Sequence, residues 1–411
     1  MSPGALVVTV LSIAAVFLAM TIAIVLAKVR RELRDGWRRV RRRALEPRVL
    51  EYAHGEDVSI FPALGGAVSG SDRIVVEIIL LDHASRVRGI ARERLCRALD
   101  ELGYVDRFLK RLKSARWWRR AEAAENLGLA GATRATPQLT AALADDVPEV
   151  RLRAAKALGQ IGGRAAVLPL VGALSEPNRW STIRIADILT DMGSEVVGEL
   201  IAAFPKLNDH AKLAAIDILG RIHPIQAVPW LLSRLDDSGS DVRSRAAHAL
   251  GEIGAVDAAP ALRQTLADSS WPARAMAAKA LGRIRDVEAI PRLCAALRDR
   301  EWWVRANAAE ALRLAGPKGI EALEVMLSDE DGFAKHQACL MLEDAGVLDT
   351  RVAQLVESGP SRATGESVVT GFVQAGHVDR LRELAATHTD ELVREALARL
   401  LPKVTAREAR R

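Results

Sequence analysis

Residues 241–268, DVRSRAAHALGEIGAVDAAPALRQTLAD, and residues 272–299, PARAMAAKALGRIRDVEAIPRLCAALRD, superimpose after a shift of 31 positions. Working outward from this pair, Leu127, Leu158, Leu189, Leu219, Leu250, Leu281, Leu312 and Leu342 recur at intervals of 30 or 31. A second ladder, Leu139, Leu170, Leu200, Leu231, Leu262, Leu293 and Leu323, keeps the same phase about 12 residues behind. Two in-phase ladders of this length identify internal repeats. Gly128, Gly159, Gly220, Gly251 and Gly282 each follow a first-ladder leucine. They read as helix-closing glycines in the left-handed conformation, with Pro137, Pro229, Pro260 and Pro291 opening a second helix. Each unit is then helix, turn, helix. Its apolar side is covered only by its neighbours, so the units stack.

The expected fold is all-α, a right-handed α-solenoid of helical hairpins. Dominance by Ala, Leu and Arg, with only 4% aromatics, suits tightly packed helices. The repeats resemble the short HEAT repeats of phycobilisome-lyase-type proteins. The match covers residues 117–345, with a helical N-terminal cap over 73–116 and divergent helical repeats with a C-terminal cap over 346–411. The resemblance is specific for fold and nearly silent on activity. It implies that second helices line a concave face, where Trp230, Arg263, Arg292 and Glu324 form a default partner surface.

Ahead of the array, residues 5–27, ALVVTVLSIAAVFLAMTIAIVLA, carry no charge. As a helix they reach about 35 Å, enough for a hydrocarbon core of about 30 Å. Residues 28–48 follow with ten Lys/Arg and three acids, a net of +7 against +6 for the whole chain. The positive-inside rule then predicts a single-pass inner-membrane protein with its N-terminus outside and its HEAT body cytoplasmic. Arg38, Arg39, Arg41, Arg42 and Arg43 are the expected contacts to an anionic membrane surface. Residues 49–72, rich in Gly, Pro and Ser, read as a linker. Residues 86–120 are basic again, at +8, while 121–411 sum to −4, which argues against nucleic acid as the partner of the array.

Seven units place a basic residue seven positions before the first-ladder leucine: Arg120, Arg151, Lys212, Arg243, Arg274, Arg305 and Lys335, with Thr182 the exception. Acids in the connections, among them Asp145, Asp268 and Asp299, favour an Asp-to-Arg ladder over a phosphate-binding stripe. Trp117/Trp118, Trp180, Trp271 and Trp302/Trp303 lie nine or ten positions before the leucine. They read as wedges between hairpins, with partner anchoring as the alternative. Trp117, Trp118 and Arg119 form the most interface-like group, because Trp and Arg dominate binding hot spots. Cys96, Cys294 and Cys339 lie far apart, without C-x-x-C spacing. The eight histidines are scattered, and neither a Walker loop nor a nucleophile elbow is present. No catalytic constellation and no cofactor is expected. The reading is a scaffold for a protein partner, possible as an accessory subunit of a membrane enzyme complex; the alternative is a HEAT-fold enzyme of the chromophore-lyase or hydroxylase type.

Overall fold

The computed structural model describes residues 3–68, 70–175 and 179–402; side chains are described from Phe17 onward, residues 19 and 179–181 apart. The chain divides within one helix into two compact units, residues 1–170 and 171–411. The first unit opens with α1 (Pro3–His54), α2 (Phe61–Leu64), α3 (Asp72–Arg86), α4 (Ile90–Glu101) and α5 (Tyr104–Leu112). Repeat hairpins follow as α6 (Trp117–Leu129) with α7 (Thr136–Ala142), then α8 (Pro148–Ile161) with α9 (Arg164–Ala173), in which the division falls. The second unit continues with α10 (Arg179–Asp191), α11 (Val197–Ala203), α12 (Asp209–Ile222), α13 (Val228–Arg234), α14 (Ser240–Ile253) and α15 (Ala259–Thr265). It proceeds through α16 (Trp271–Ile284), α17 (Ile290–Ala296), α18 (Trp302–Leu314), α19 (Pro317–Met326) and α20 (Gly332–Asp344). Its last helices are α21 (Val347–Ala353), α22 (Pro360–Gln374), α23 (Asp379–Thr387) and α24 (Glu391–Leu400). No strand occurs among the described residues.

Every leucine of both ladders is at most 1% exposed, so the period seen in the sequence is the period of the core. Full burial of one leucine side chain contributes about 1.5–3 kcal/mol, and each hairpin supplies two. The pattern also extends beyond the leucines. Phe108 on α5 and Phe372 on α22 are fully buried at positions in phase with the ladders.

The glycines after the first-ladder leucines do not make the turns. Gly128, Gly220, Gly251 and Gly282 lie inside their helices. A methyl group on Gly251 would stand 2.7 Å from the Ala280 Cα, and one on Gly282 would stand 2.8 Å from the Ala311 Cα. The same relation joins Gly128 to Ala157 and Gly220 to Ala249. These residues are bare so that the next first helix can approach. The left-handed turn comes three residues later, at His223, Gly254 and Arg285, with φ of 57°, 72° and 58°.

The membrane-spanning anchor is the expectation that the structure overturns. Among the described residues no helix is long and apolar enough to cross a membrane. The apolar side chains described in α1 run from Phe17 to Ala27, about 16 Å of helix. Lys28, Arg30 and Arg31 follow it directly. The earlier part of the run, residues 5–16, lies outside the residues whose side chains are described. A placement with the N-terminus outside and the body cytoplasmic loses its support.

The C-terminal end of α1 belongs to the folded body. Leu45, Val49, Tyr52 and Ala53 are buried, so helix continues through the first residues expected to be linker. The remaining connection is held too. Arg94 on α4 donates to the carbonyls of Gly55 and Asp57, Ser59 donates to Glu101 at 3.0 Å, and Ile60 is fully buried. Glu77, buried on α3, is neutralised by Arg107 of α5.

Candidate protein-binding surface

The basic residues of the repeats form a structural ladder. Arg243 on α14 donates to Asp268 through Nε and Nη2, at 2.7 and 2.8 Å, and through Nη1 to the Asp237 carbonyl at 2.9 Å. Arg120 repeats the pattern with Asp145, and Arg274 with Asp299. The acid used lies 25 residues downstream, in the connection leading to the next repeat, rather than in the connection just upstream. Asp268 also accepts from the Ser270 backbone N–H at 2.7 Å, while its own carbonyl accepts from Arg274 at 2.8 Å. One aspartate thus joins two successive arginines. Hydrogen bonds from Arg243 outweigh burial and hold the Asp268 carboxyl below its usual range; Arg120 does the same for Asp145. Such paired guanidinium groups are not a phosphate track. Lys212 lacks the fork and reaches Asp209 at 3.7 Å, leaving Asp237 to Arg234.

Tryptophans at the helix starts do not wedge between hairpins. Trp117, Trp118, Trp271, Trp302, Trp303 and the in-phase Phe333 are 40–59% exposed. Trp302 and Trp303 meet edge to face at 4.7 Å, and Phe333 lies under the Arg305 guanidinium at 4.4 Å. In the first unit, the guanidinium groups of Arg116 and Arg119 lie 5.8 and 5.0 Å from the centre of the Trp118 ring. Trp180 falls outside the residues whose side chains are described.

The second-helix candidates are engaged within the array. Trp230 packs edge-on against Phe204 at 4.9 Å, with Arg234 above it at 5.6 Å. Arg263 pairs with Asp286 at 3.2 Å and Glu288 at 2.5 Å, and Arg292 donates to the Arg263 carbonyl. Glu324 accepts from Arg351 at 2.7 Å. Those candidates tie neighbouring repeats together. Of the five arginines near the N-terminus, Arg41 binds Asp72, and Arg42 binds Glu46 and Asp82 at 3.0 and 2.5 Å, which locks α1 onto α3. Arg38 lies 3.9 Å from Asp35, while Arg39 and Arg43 are exposed.

Three arrangements were not legible in the sequence. His336 Nδ1 and His377 Nε2 lie 2.7 Å apart, at hydrogen-bonding distance. Arg394 donates to the His388 carbonyl six residues back, as Arg243 does to Asp237. Glu46, Asp82 and His83 come close enough to hold a cation, but Arg42 already supplies positive charge to both carboxylates. Burial raises all three thiols, Cys339 to about 12, which disfavours the reactive thiolate. A groove of about 510 Å³ between α10, α12 and α14 is crossed by the Asp187–Arg221 and Asp217–Arg245 pairs.

Stacked two-helix units with a Gly/Ala seam and an Arg/Asp ladder define a helical-repeat protein. The chain belongs to the HEAT-repeat family, whose profile matches residues 105–189, 198–273 and 261–343, more than half of its length. No curated protein matches it. Among solved structures it is similar to the karyopherin Kap121p bound to RanGTP, at 13% identity and TM-score 0.44, over 87% of this chain and 48% of that one. It is also similar to human deoxyhypusine hydroxylase in complex with glycerol, at 22% identity and TM-score 0.26, over 59% and 97% of the two chains. A third is the complex of CpcE and CpcF of phycocyanin lyase from Nostoc, at 21% identity and TM-score 0.27, over 58% and 94%. The chain spans about half the length of the karyopherin.

Proposed function

We propose that this chain is a binding scaffold whose repeat edges, rather than a chemical centre, recognise another protein. The observation that supports the reading is that half-exposed rings recur at one phase of the sequence period, Trp117 and Trp118 in the first unit and Trp271, Trp302, Trp303 and Phe333 in the second. Exposing several large rings at one phase forgoes burial that each could gain, and Trp is the side chain most enriched in binding hot spots. The arginine ladder keeps the edge in register, since each rung fixes one first helix to the connection before the next. The test is capture of partners by the full chain beside two double variants, W117A/W118A and W302A/W303A. Loss of the same specific partner by either variant, with helical content unchanged, supports the reading. An unchanged partner set for both variants removes it.

A further inference from the structure

Several positive side chains of the first unit are held by carboxylates, while others, among them Arg39, Arg43, Arg88 and Arg97, are exposed without an ion pair. Arg120 is held by Asp145, Arg134 by Asp100 and Asp106, Arg107 by Glu77, and Arg153 by Glu125 and Glu149. The segment entering α6 differs in setting its unpaired cations against exposed indole rings. Lys113, Arg116 and Arg119 are exposed, and none has a carboxylate within ion-pairing distance among the described residues. Glu122, one turn along α6 from Arg119, makes no ion pair with it. Arg116 and Arg119 instead lie over Trp118 from positions on either side of it in the chain, and Trp117 is equally exposed beside them.

A guanidinium stacked on an indole is partly stripped of water while its fork of N–H donors stays free. Carboxylates answer that fork with two parallel charge-assisted hydrogen bonds. We infer that the Lys113 to Arg119 surface docks an acidic segment of a partner protein, Asp or Glu side chains meeting Arg116 and Arg119 while an apolar side chain covers Trp117. This rests on the protein-binding reading above and names its partner's chemistry. A protein segment is favoured over nucleic acid because the cationic surface does not extend along the repeats. The ladder arginines beyond it are neutralised by Asp145, Asp268 and Asp299, and residues 121–411 carry a net of −4, so no cationic track continues along the array.

The experiment measures fluorescence anisotropy of labelled peptides with the full chain at low salt. The probes are a Glu/Asp-rich peptide with one central Leu, its Gln/Asn counterpart, a Lys-rich peptide and a short single-stranded oligonucleotide. Vesicles of phosphatidylglycerol and phosphatidylcholine form a separate arm. The acidic peptide is expected to bind, the Gln/Asn peptide not. W118A and R116E/R119E are each expected to weaken it about tenfold or more, the scale of one or two charge-assisted contacts. W302A/W303A leaves it unchanged, and R116E/R119E gains the Lys-rich peptide. No binding of the acidic peptide, binding unaffected by these variants, or variant-sensitive binding of the oligonucleotide or vesicles in its place overturns the inference. If that happens while W117A/W118A still loses a captured partner, the scaffold reading stands and the acidic chemistry alone falls.

Discussion

The backbone of Gly251 on α14 lies directly against Ala280 on α16, with room for no side-chain atom between them. The equivalent contact recurs as Gly128 with Ala157, Gly220 with Ala249 and Gly282 with Ala311, so a seam of bare backbone sets the spacing of adjacent first helices.

A side chain added at this seam must push two helices apart. Gly251→Val and Gly282→Val are expected to destabilise the array by about 1–3 kcal/mol, the usual cost of overpacking. Gly172→Ala on α9, where nothing lies within 4 Å, is the control and is expected to stabilise by about 0.5–1 kcal/mol. Thermal and urea unfolding followed by circular dichroism should show the opposite signs.

The rungs depend on a fork, not merely a charge. Arg274→Lys keeps the charge but cannot reach both Asp299 oxygens and the Asp268 carbonyl together. A loss of about 1–3 kcal/mol is expected, as for a part-buried acceptor left short of donors. Equal stability of this variant in urea titrations would show the geometry to be incidental.

Acid should weaken the same rungs. Asp145 and Asp268 have folded pKa values held below the ordinary carboxylate range, near 3.9 in unfolded chains. Their contribution is therefore complete above about pH 4 and is lost as pH falls through the folded values. Asp268→Asn should flatten that part of the stability profile measured by denaturant unfolding at stepped pH.

The histidine pair predicts a separate transition nearer neutrality. Burial and then His336 lower the His377 pKa, while Glu343 and Asp379 oppose the shift. The folded state therefore favours neutral His377, and this contribution is present above about pH 6.5 and lost as pH falls below it. Hydrogen exchange in α20 and α22, normalised to the intrinsic rate at each pH, should accelerate as pH falls from about 7 to 5. In His377→Gln that acceleration should be much reduced.

Half-exposed rings contribute less to folding than to binding. W302A/W303A should cost at most about 1–2 kcal/mol, since each ring keeps roughly half of its surface in water. Leu312→Ala towards the other end of α18, which opens a cavity at a fully buried position, should cost about 2–5 kcal/mol. Comparable losses would mean that the rings serve packing instead.

The helices from Trp117 to Asp344 were legible because burying one leucine per helix is a property of spacing alone. What Gly251 does was not, since a turn glycine and a seam glycine differ only in where the next repeat lies. That Trp271 and Trp302 stay half-exposed instead of wedging between hairpins was equally hidden, because exposure depends on how the neighbouring repeat packs. Near the N-terminus, a dense basic run beside an apolar run read as a membrane flank. The acids that answer Arg41 and Arg42, Asp72 and Asp82, stand 31 and 40 residues further on, and only folding brings them together. Arg394 escaped notice because its partner is a backbone carbonyl, which leaves no mark in the pattern of side chains.

The rung that joins Arg243, Asp268 and Arg274 also bears on how such a chain lengthens. Every bond in it is made at a fixed offset along the sequence, 25 residues forward or six back. A duplicated block of one period therefore arrives with both halves of a new rung, and the old rungs on either side find equivalent atoms at the same offsets. Growth by whole periods leaves no charge stranded at the splice. Insertion of any other length would orphan an arginine and an aspartate at once.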